Sequence, residues 1–408
     1  MFPVEIALFS LAGFLLGVVS GLTPGLHVNT FALLLAGAAS SFPGVEYLGV
    51  TMVAAAISHS FLDIVPSVAV GVPDDSMALA ALPGHEMVLE GRGNEAVRLS
   101  AAGSMLSVAA AFALVLPLTV VATSVYGVVE NYFGYLLAGI AGYLLWTESG
   151  GFRRKIAAFW TFFSSGVLGY YVFEGVSETG ELLMPLFTGL FGVPLLISSY
   201  SSDAEIPEQR EMEGSLLGKK RVLVDSLGGG FAGAVVGWIP GASPAVATTL
   251  IQSVLPDTDT ESEGRRSFVT AVSGVNTSNS IYALVALYFL GRERSGVAVA
   301  VSRLGKLTEK ELVLYLTILA AVSFLAFHAT ILAGRLAFGF VRAVNYRALS
   351  LGILGLLVAL TSVLSGLRGL PVLAAATVIG AVPNLRRVRR VHCMGSLLVP
   401  LILFYAGH

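Results

Sequence analysis

Ser20-Gly21-Leu22-Thr23-Pro24-Gly25-Leu26-His27-Val28-Asn29-Thr30 is one phrase, and Val236-Gly237-Trp238-Ile239-Pro240-Gly241-Ala242-Ser243-Pro244-Ala245-Val246, 216 positions later, is its second statement. Each copy closes one apolar run, inserts Pro-Gly and opens another. Proline has no amide hydrogen and disfavours helix for the residue before it, while glycine tolerates positive φ. The phrase therefore predicts a break between two helical pieces, with the N-terminus of the second piece exposed at the break.

Around the phrases the chain is apolar. Of 408 residues, 55% are hydrophobic and 12% charged, about half the charge of a soluble domain. Many charge-free stretches reach the roughly 17 residues that let a helix cross the hydrocarbon core. The fold class is an all-α polytopic membrane protein. A net charge of −2, with no basic, aromatic-interleaved segment, gives no sign of nucleic-acid binding. The single Cys393 excludes an internal disulfide and a cysteine metal cluster. Met1-Phe2-Pro3-Val4-Glu5 lacks a basic n-region, so the first helix is expected to stay rather than leave as a signal peptide.

Membrane segments are expected at about 4–22, 26–41, 46–72, 99–123, 132–149, 156–173, 182–199, 222–239, 244–255, 268–290, 311–334, 347–366, 371–383 and 394–407. Those at 26–41, 244–255 and 371–383 are short and read as half-helices or re-entrant pieces, and the architecture expected is about 12 membrane segments including such re-entrant or broken helices. Residues 200–221 form a polar linker between a first membrane repeat, 1–199, and a second, 222–408. Ile57-Ser58-His59-Ser60-Phe61-Leu62-Asp63 faces Ser273-Gly274-Val275-Asn276-Thr277-Ser278-Asn279 at the phrase's own offset of 216. Leu182-Leu183-Met184-Pro185 faces Leu397-Leu398-Val399-Pro400 at 215. Matched Pro and Gly are rarer than matched Leu, which favours an internal repeat. With Arg153-Arg154-Lys155, Lys219-Lys220-Arg221 and Arg386-Arg387-Val388-Arg389-Arg390 all cytoplasmic, the two repeats are inverted.

A broken helix leaves unpaired amides and about half a positive charge at the new N-terminus, which suits an anion near the bilayer midplane. Pro24, Gly25, His27, Asn29 and Thr30, and Pro240, Gly241 and Ser243, are the substrate candidates on this ground. A kink made only for packing is the plain alternative for each phrase. The second feature is Asn276-Thr277-Ser278-Asn279-Ser280 inside an apolar run. Buried polar groups in lipid are costly unless paired, and amides, hydroxyls and carbonyls are hard ligands suited to Na⁺. Asn276, Thr277 and Asn279 are added to the substrate set, and Ser60, Asp63, Asn276 and Ser278 form the cation set. Hydrogen-bonded helix packing is the competing reading. Asp74 and Asp75 read equally as loop solvation charges or as gating or cation groups, Arg292 and Arg294 either attract an anion or mark a cytoplasmic loop, and His85-Glu86 is a poor metal site. No nucleophile elbow, His-Glu-x-x-His or Walker loop occurs, so the chain is not expected to be an enzyme and needs no cofactor beyond Na⁺ or H⁺ as coupling ion.

The two Pro-Gly phrases, Pro83-Gly84-His85-Glu86-Met87 with Gly91-Arg92-Gly93-Asn94-Glu95-Ala96, and the Asn276–Asn279 cluster resemble the large permease subunit of tripartite tricarboxylate transporters, in an archaeal branch. The resemblance spans most of the chain. It implies a multi-pass protein of a prokaryotic plasma membrane that moves a carboxylate with a cation gradient. It also implies help from a small membrane subunit and an extracytoplasmic binding protein. The leading expectation is a secondary transporter for a small organic anion; the alternative is a translocase for polyprenyl-phosphate or another anionic lipid.

Overall fold

The computed structural model describes residues 2–24, 26–37, 39, 44–72, 77, 79–175, 182–201, 207–210, 219–238, 244, 247–248, 260–344 and 346–406. Every regular element among them is helical. The elements are α1 (Pro3–Leu22), α2 (Val28–Gly37), α3 (Val45–Leu62), α4 (Ile64–Ala69), α5 (Ala81–Leu89), α6 (Gly93–Val129), α7 (Phe133–Trp146), α8 (Phe152–Gly175), α9 (Leu183–Phe187), α10 (Val193–Ser201), α11 (Lys220–Trp238), α12 (Glu261–Leu290), α13 (Gly296–Leu304), α14 (Glu309–Ala343), α15 (Tyr346–Leu364), α16 (Gly366–Arg386) and α17 (Gly395–Ala406). A π-helical turn, Thr188–Gly192, joins α9 to α10.

Among the described residues, seven helical stretches are long and apolar enough to cross a membrane. Their outer faces carry large bare side chains such as Leu116, Trp160 and Leu336, as expected where lipid rather than water is the solvent. The stretch expected at 371–383 as a half-helix is instead part of α16, a full-length helix with Pro371 and Pro383 inside it. Each proline removes one donor, yet the helix runs on through both, as lipid strongly favours. The segment expected at 26–41 is indeed short, as α2. The segment at 244–255 lies almost wholly outside the described residues.

Two helix pairs carry the interior. A Cβ on Gly13, Gly17 or Gly21 of α1 would come under 3.0 Å from Thr51, Ala55 and Leu62 of α3, respectively. A Cβ on Gly229, Gly233 or Gly237 of α11 would do the same to Ala271, Val275 and Tyr282 of α12. Backbone thus rests on backbone in both pairs, the small-residue packing that membrane helices use. The glycines repeat at 216, but their partners Thr51 and Ala271, Ala55 and Val275, and Leu62 and Tyr282 repeat at 220. This corrects the register: His59 corresponds to Asn279 and Ser60 to Ser280, because four more residues precede the second helix of the later pair.

Helices at equivalent places run in opposite directions. Gly93 and Val97, at the start of α6, lie against Phe338 and Gly334, at the end of α14. Glu148, just before α8, bonds Arg389, just after α16. The same polar face gathers Arg265 with Glu86 and Glu90, Arg266 with Glu95, and Arg221 with Asp225 and Ser267. Arg390 lies within electrostatic reach of Glu86, which joins the Arg386–Arg390 cluster to this face. Arg294 sits beyond the far end of α12 and donates to the Tyr126 hydroxyl at 2.6 Å.

Candidate functional site

The site grows from the place where α3 stops. Helix α3 closes at Asp63, which also opens α4, and Pro66 in the next turn has no amide to continue the ladder. The carbonyls freed near this joint are met by side chains of the second half. Thr330 of α14 donates to Phe61 O at 3.1 Å, and Asn276 of α12 reaches Ser60 O at a long 3.5 Å. Asn276 Nδ2 also donates to Asp63 Oδ2 at 2.6 Å. Ser67 donates to Asp63 O at 2.6 Å. Asp63 is 2% exposed and Asn276 5%, halfway along α12. A carboxylate so placed is held by charge-assisted bonds and a broken helix, the arrangement that serves a cation or a proton in membrane interiors.

One turn back along α3 stands His59. Its Nδ1 is 2.9 Å from Ser20 Oγ of α1, and its ring centroid is 4.9 Å from that of His27. His27 precedes α2, and the Asn29 amide donates to its Nδ1 at 3.0 Å. Asn29 Oδ1 in turn accepts from the Val297 amide at 3.2 Å, tying the start of α2 to the start of α13. Pro24, in the middle of the first phrase, is partly buried two residues past α1.

The remaining expected residues divide. Thr277 donates to Ser104 of α6 at 2.8 Å. Ser278 donates to Val275 O at 3.3 Å, and its hydroxyl fills the space a Cβ on Gly233 would need. Both face packing partners, and the structure does not bring them to Asp63. The Ser60 hydroxyl returns to Ile57 O at 3.0 Å, leaving only its carbonyl at the joint. Asn279 is buried on α12 one turn beyond Asn276. Gly25, Pro240, Gly241 and Ser243 lie outside the described residues, as do Asp74 and Asp75; Thr30 belongs to α2. His85 bonds Val68 O at 2.8 Å, and no metal-holding group of three His, Cys, Asp or Glu exists among the described residues.

Ser20, Ser67 and Thr330 were not legible as site residues. Isolated hydroxyls on apolar helices are common packing groups, and only the tertiary fold shows which carbonyl each one meets. Thr330 sits 269 positions from its partner Phe61, which no local pattern reports.

No solved structure matches the chain. A protein of Methanocaldococcus jannaschii, itself described as uncharacterised, is 28% identical over 311 residues, covering 73% of this chain and 72% of the relative. Residues 7–395 match the description "Tripartite tricarboxylate transporter TctA family". With nearly its whole length matched and its helices fit to cross a bilayer, the chain belongs to the tripartite tricarboxylate transporter TctA family: it is a multi-pass plasma-membrane protein of a transporter family, not an enzyme.

Proposed function

We propose that this protein is a secondary transporter that moves a small organic anion, of the carboxylate class, with a cation gradient. The observation that carries the reading is the buried Asp63–Asn276 bond at the broken end of α3, where the two halves meet. Asp63, the Ser60 carbonyl and Asn276 would hold Na⁺ or a proton. The amides at the two Pro-Gly phrases, around Pro24–Gly25 and Pro240–Gly241, would hold the anion, with His27, Asn29, Thr30, Ser243 and Asn279 beside them.

The antiparallel course of equivalent helices supports an inverted repeat, the architecture by which many transporters expose one central site alternately to each side. We take the basic face as cytoplasmic on the positive-inside tendency. A small membrane subunit and an extracytoplasmic binding protein are the partners proposed.

Uptake of radiolabelled citrate and tartrate into proteoliposomes, with imposed Na⁺ or proton gradients, tests this reading. Gradient-dependent uptake that Asn276→Ala abolishes supports it. Uptake indifferent to every gradient, or polyprenyl phosphate copurifying in stoichiometric amount, sinks it in favour of another class.

A further inference from the structure

We propose that the ends of α6, α11 and α12 on the basic face form a binding site for an anionic phospholipid, its phosphate in a cavity and its tail along α11. The site stands apart from the transport reading above, because it lies at helix ends rather than at Asp63 and holds the lipid as a partner, not as cargo. A cavity of about 140 Å³ opens there, roomy enough for a phosphate with water beside it. Leu99, Val222 and Thr270 are its buried walls, and Lys219, Arg221 and Arg266 bring its positive charge. Two carboxylates also line it, and neither closes it to an anion. Asp225 is buried and held by Arg221 Nε at 3.1 Å, and Glu263 is exposed to solvent.

The cations are placed to donate. Arg221 is anchored by Ser267 at 2.9 Å as well as by Asp225, which fixes its guanidinium at the wall. Among the described residues the Arg266 guanidinium bonds only Glu95, through Nε at 2.8 Å, so both terminal nitrogens are left for a ligand. The Lys219 ammonium is exposed and bonds nothing among the described residues. Guanidinium forks fit phosphate oxygens, and basic pockets between membrane helices on the cytoplasmic side take anionic headgroups.

Lys219 also heads a lipid-facing ridge. Leu223, Leu227, Phe231 and Val235 follow it at intervals of four, all exposed. The Leu223 amide donates to Lys219 O at 3.1 Å, which puts Lys219 in the same helical row. From Leu223 to Phe231 the helix rises about 12 Å, close to the roughly 15 Å of hydrocarbon in one leaflet. A lipid tail lying on that ridge brings its phosphate to Lys219 and the cavity. The other half shows that the fold does not demand these cations. In the registers of the helix pairs, Glu5 stands where Arg221 does and Glu46 where Arg266 does. The equivalent place on the opposite face is therefore acidic. The positive-inside tendency alone asks for basic charge, not for a cavity at the head of a ridge.

The test uses the full-length protein in neutral detergent, with phosphatidylglycerol as the probe and phosphatidylcholine and inorganic phosphate as comparisons. Phosphatidylglycerol should raise the wild-type melting temperature by about 3–5 °C at saturation, and the other two by less than about 1 °C. Native mass spectrometry should show one phosphatidylglycerol retained. Lys219→Glu and Arg266→Gln should each weaken its affinity about tenfold. Lys310→Glu, the same charge change on an exposed side chain at the start of α14 on the opposite face, should leave it unchanged. Melting temperatures without lipid show that the variants are folded, and Lys219→Glu keeps the proposal testable should Arg266→Gln fail. Equal affinity in wild type and Lys219→Glu overturns the proposal, as does phosphatidylcholine bound as tightly as phosphatidylglycerol. An equal shift from inorganic phosphate replaces the lipid with a free anion and overturns it too. None of these readouts involves uptake, so the transport reading stands or falls separately.

Discussion

Asn276 donates to the Asp63 carboxylate across 2.6 Å, fastening the middle of one central helix to the broken end of the other. The two residues lie 213 positions apart, and each belongs to a different half of the chain. A hydrogen bond to a buried charge contributes roughly 1.5–3 kcal/mol, and its loss leaves the carboxylate with an uncompensated desolvation penalty.

The first prediction follows from that bond. Asn276→Ala and Asp63→Asn should each lower cation-driven uptake by about 10- to 100-fold, the rate equivalent of that energy. The exchanged pair Asp63→Asn with Asn276→Asp should recover part of it, because the carboxylate then approaches the joint from α12. Initial rates in proteoliposomes decide the matter; an exchanged pair no better than either single variant would show that the position of the charge, not the bond, is what counts.

Neighbouring glycines on α11 give a matched control. A Cβ on Gly229 meets the Ala271 carbonyl under 3.0 Å, whereas a Cβ on Gly228 meets nothing within 4 Å. Gly229→Ala should destabilise by about 1–3 kcal/mol through overpacking. Gly228→Ala should be neutral or slightly stabilising by stiffening the helix. Thermal unfolding in detergent compares them, and equal melting temperatures for the two would contradict the packing.

Acid should loosen the loop between α7 and α8. Burial alone would raise the Glu148 pKa, but bonds from Arg389 and His392 hold it below the ordinary carboxylate value. A carboxyl whose folded pKa is depressed stabilises above its unfolded value and loses that contribution as pH falls through the folded one. Wild-type stability should therefore decline below about pH 4.5, the usual glutamate region. Glu148→Gln should be less stable at neutral pH and lose less on acidification, a comparison that melting curves at stepped pH can settle.

Direction of the long helices is open to chemical test. The Val97 Cβ lies 3.2 Å from where a Cβ on Gly334 would sit, close to the roughly 3.5–4.5 Å that a disulfide requires. Val97→Cys with Gly334→Cys, in a Cys393→Ser background, should crosslink on mild oxidation and give a mass two hydrogens lighter. Persistent free thiols would argue against α6 and α14 lying antiparallel at this point.

Much of the fold was legible in the sequence, and for identifiable reasons. Apolar runs had to become helices because lipid offers no other partner for backbone groups. The short α2 was readable from the Pro-Gly phrase before it. What the sequence hid was register and span: the short stretch at 371–383 suggested a half-helix where α16 runs through, and the 216 offset masked the 220 of the helix pairs. Both depend on contacts between helices. Within the site, Asp63 and Asn276 stood out as polar intruders and do meet. Thr277 and Ser278 stood out equally and turn to other neighbours, because a helix shows its sequence in every direction while a site occupies one face.

The seam between α6 and α12 has a consequence for motion. Ser273 bonds Ser100 at 2.7 Å and Thr277 bonds Ser104 at 2.8 Å, so rungs recur every four residues on both helices. A zipper with one tooth per helical turn looks alike after slipping by one tooth, and Ser104 already reaches the Ser273 carbonyl at 3.2 Å. The seam is pinned in the same way as the glycine-locked pairs, because a Cβ on Gly103 of α6 would come under 3.0 Å from the Thr270 carbonyl of α12. Backbone wedged on backbone must separate before it can slide, so a slip of α6 of one half along α12 of the other needs a parting at Gly103, after which each hydroxyl meets an equivalent partner.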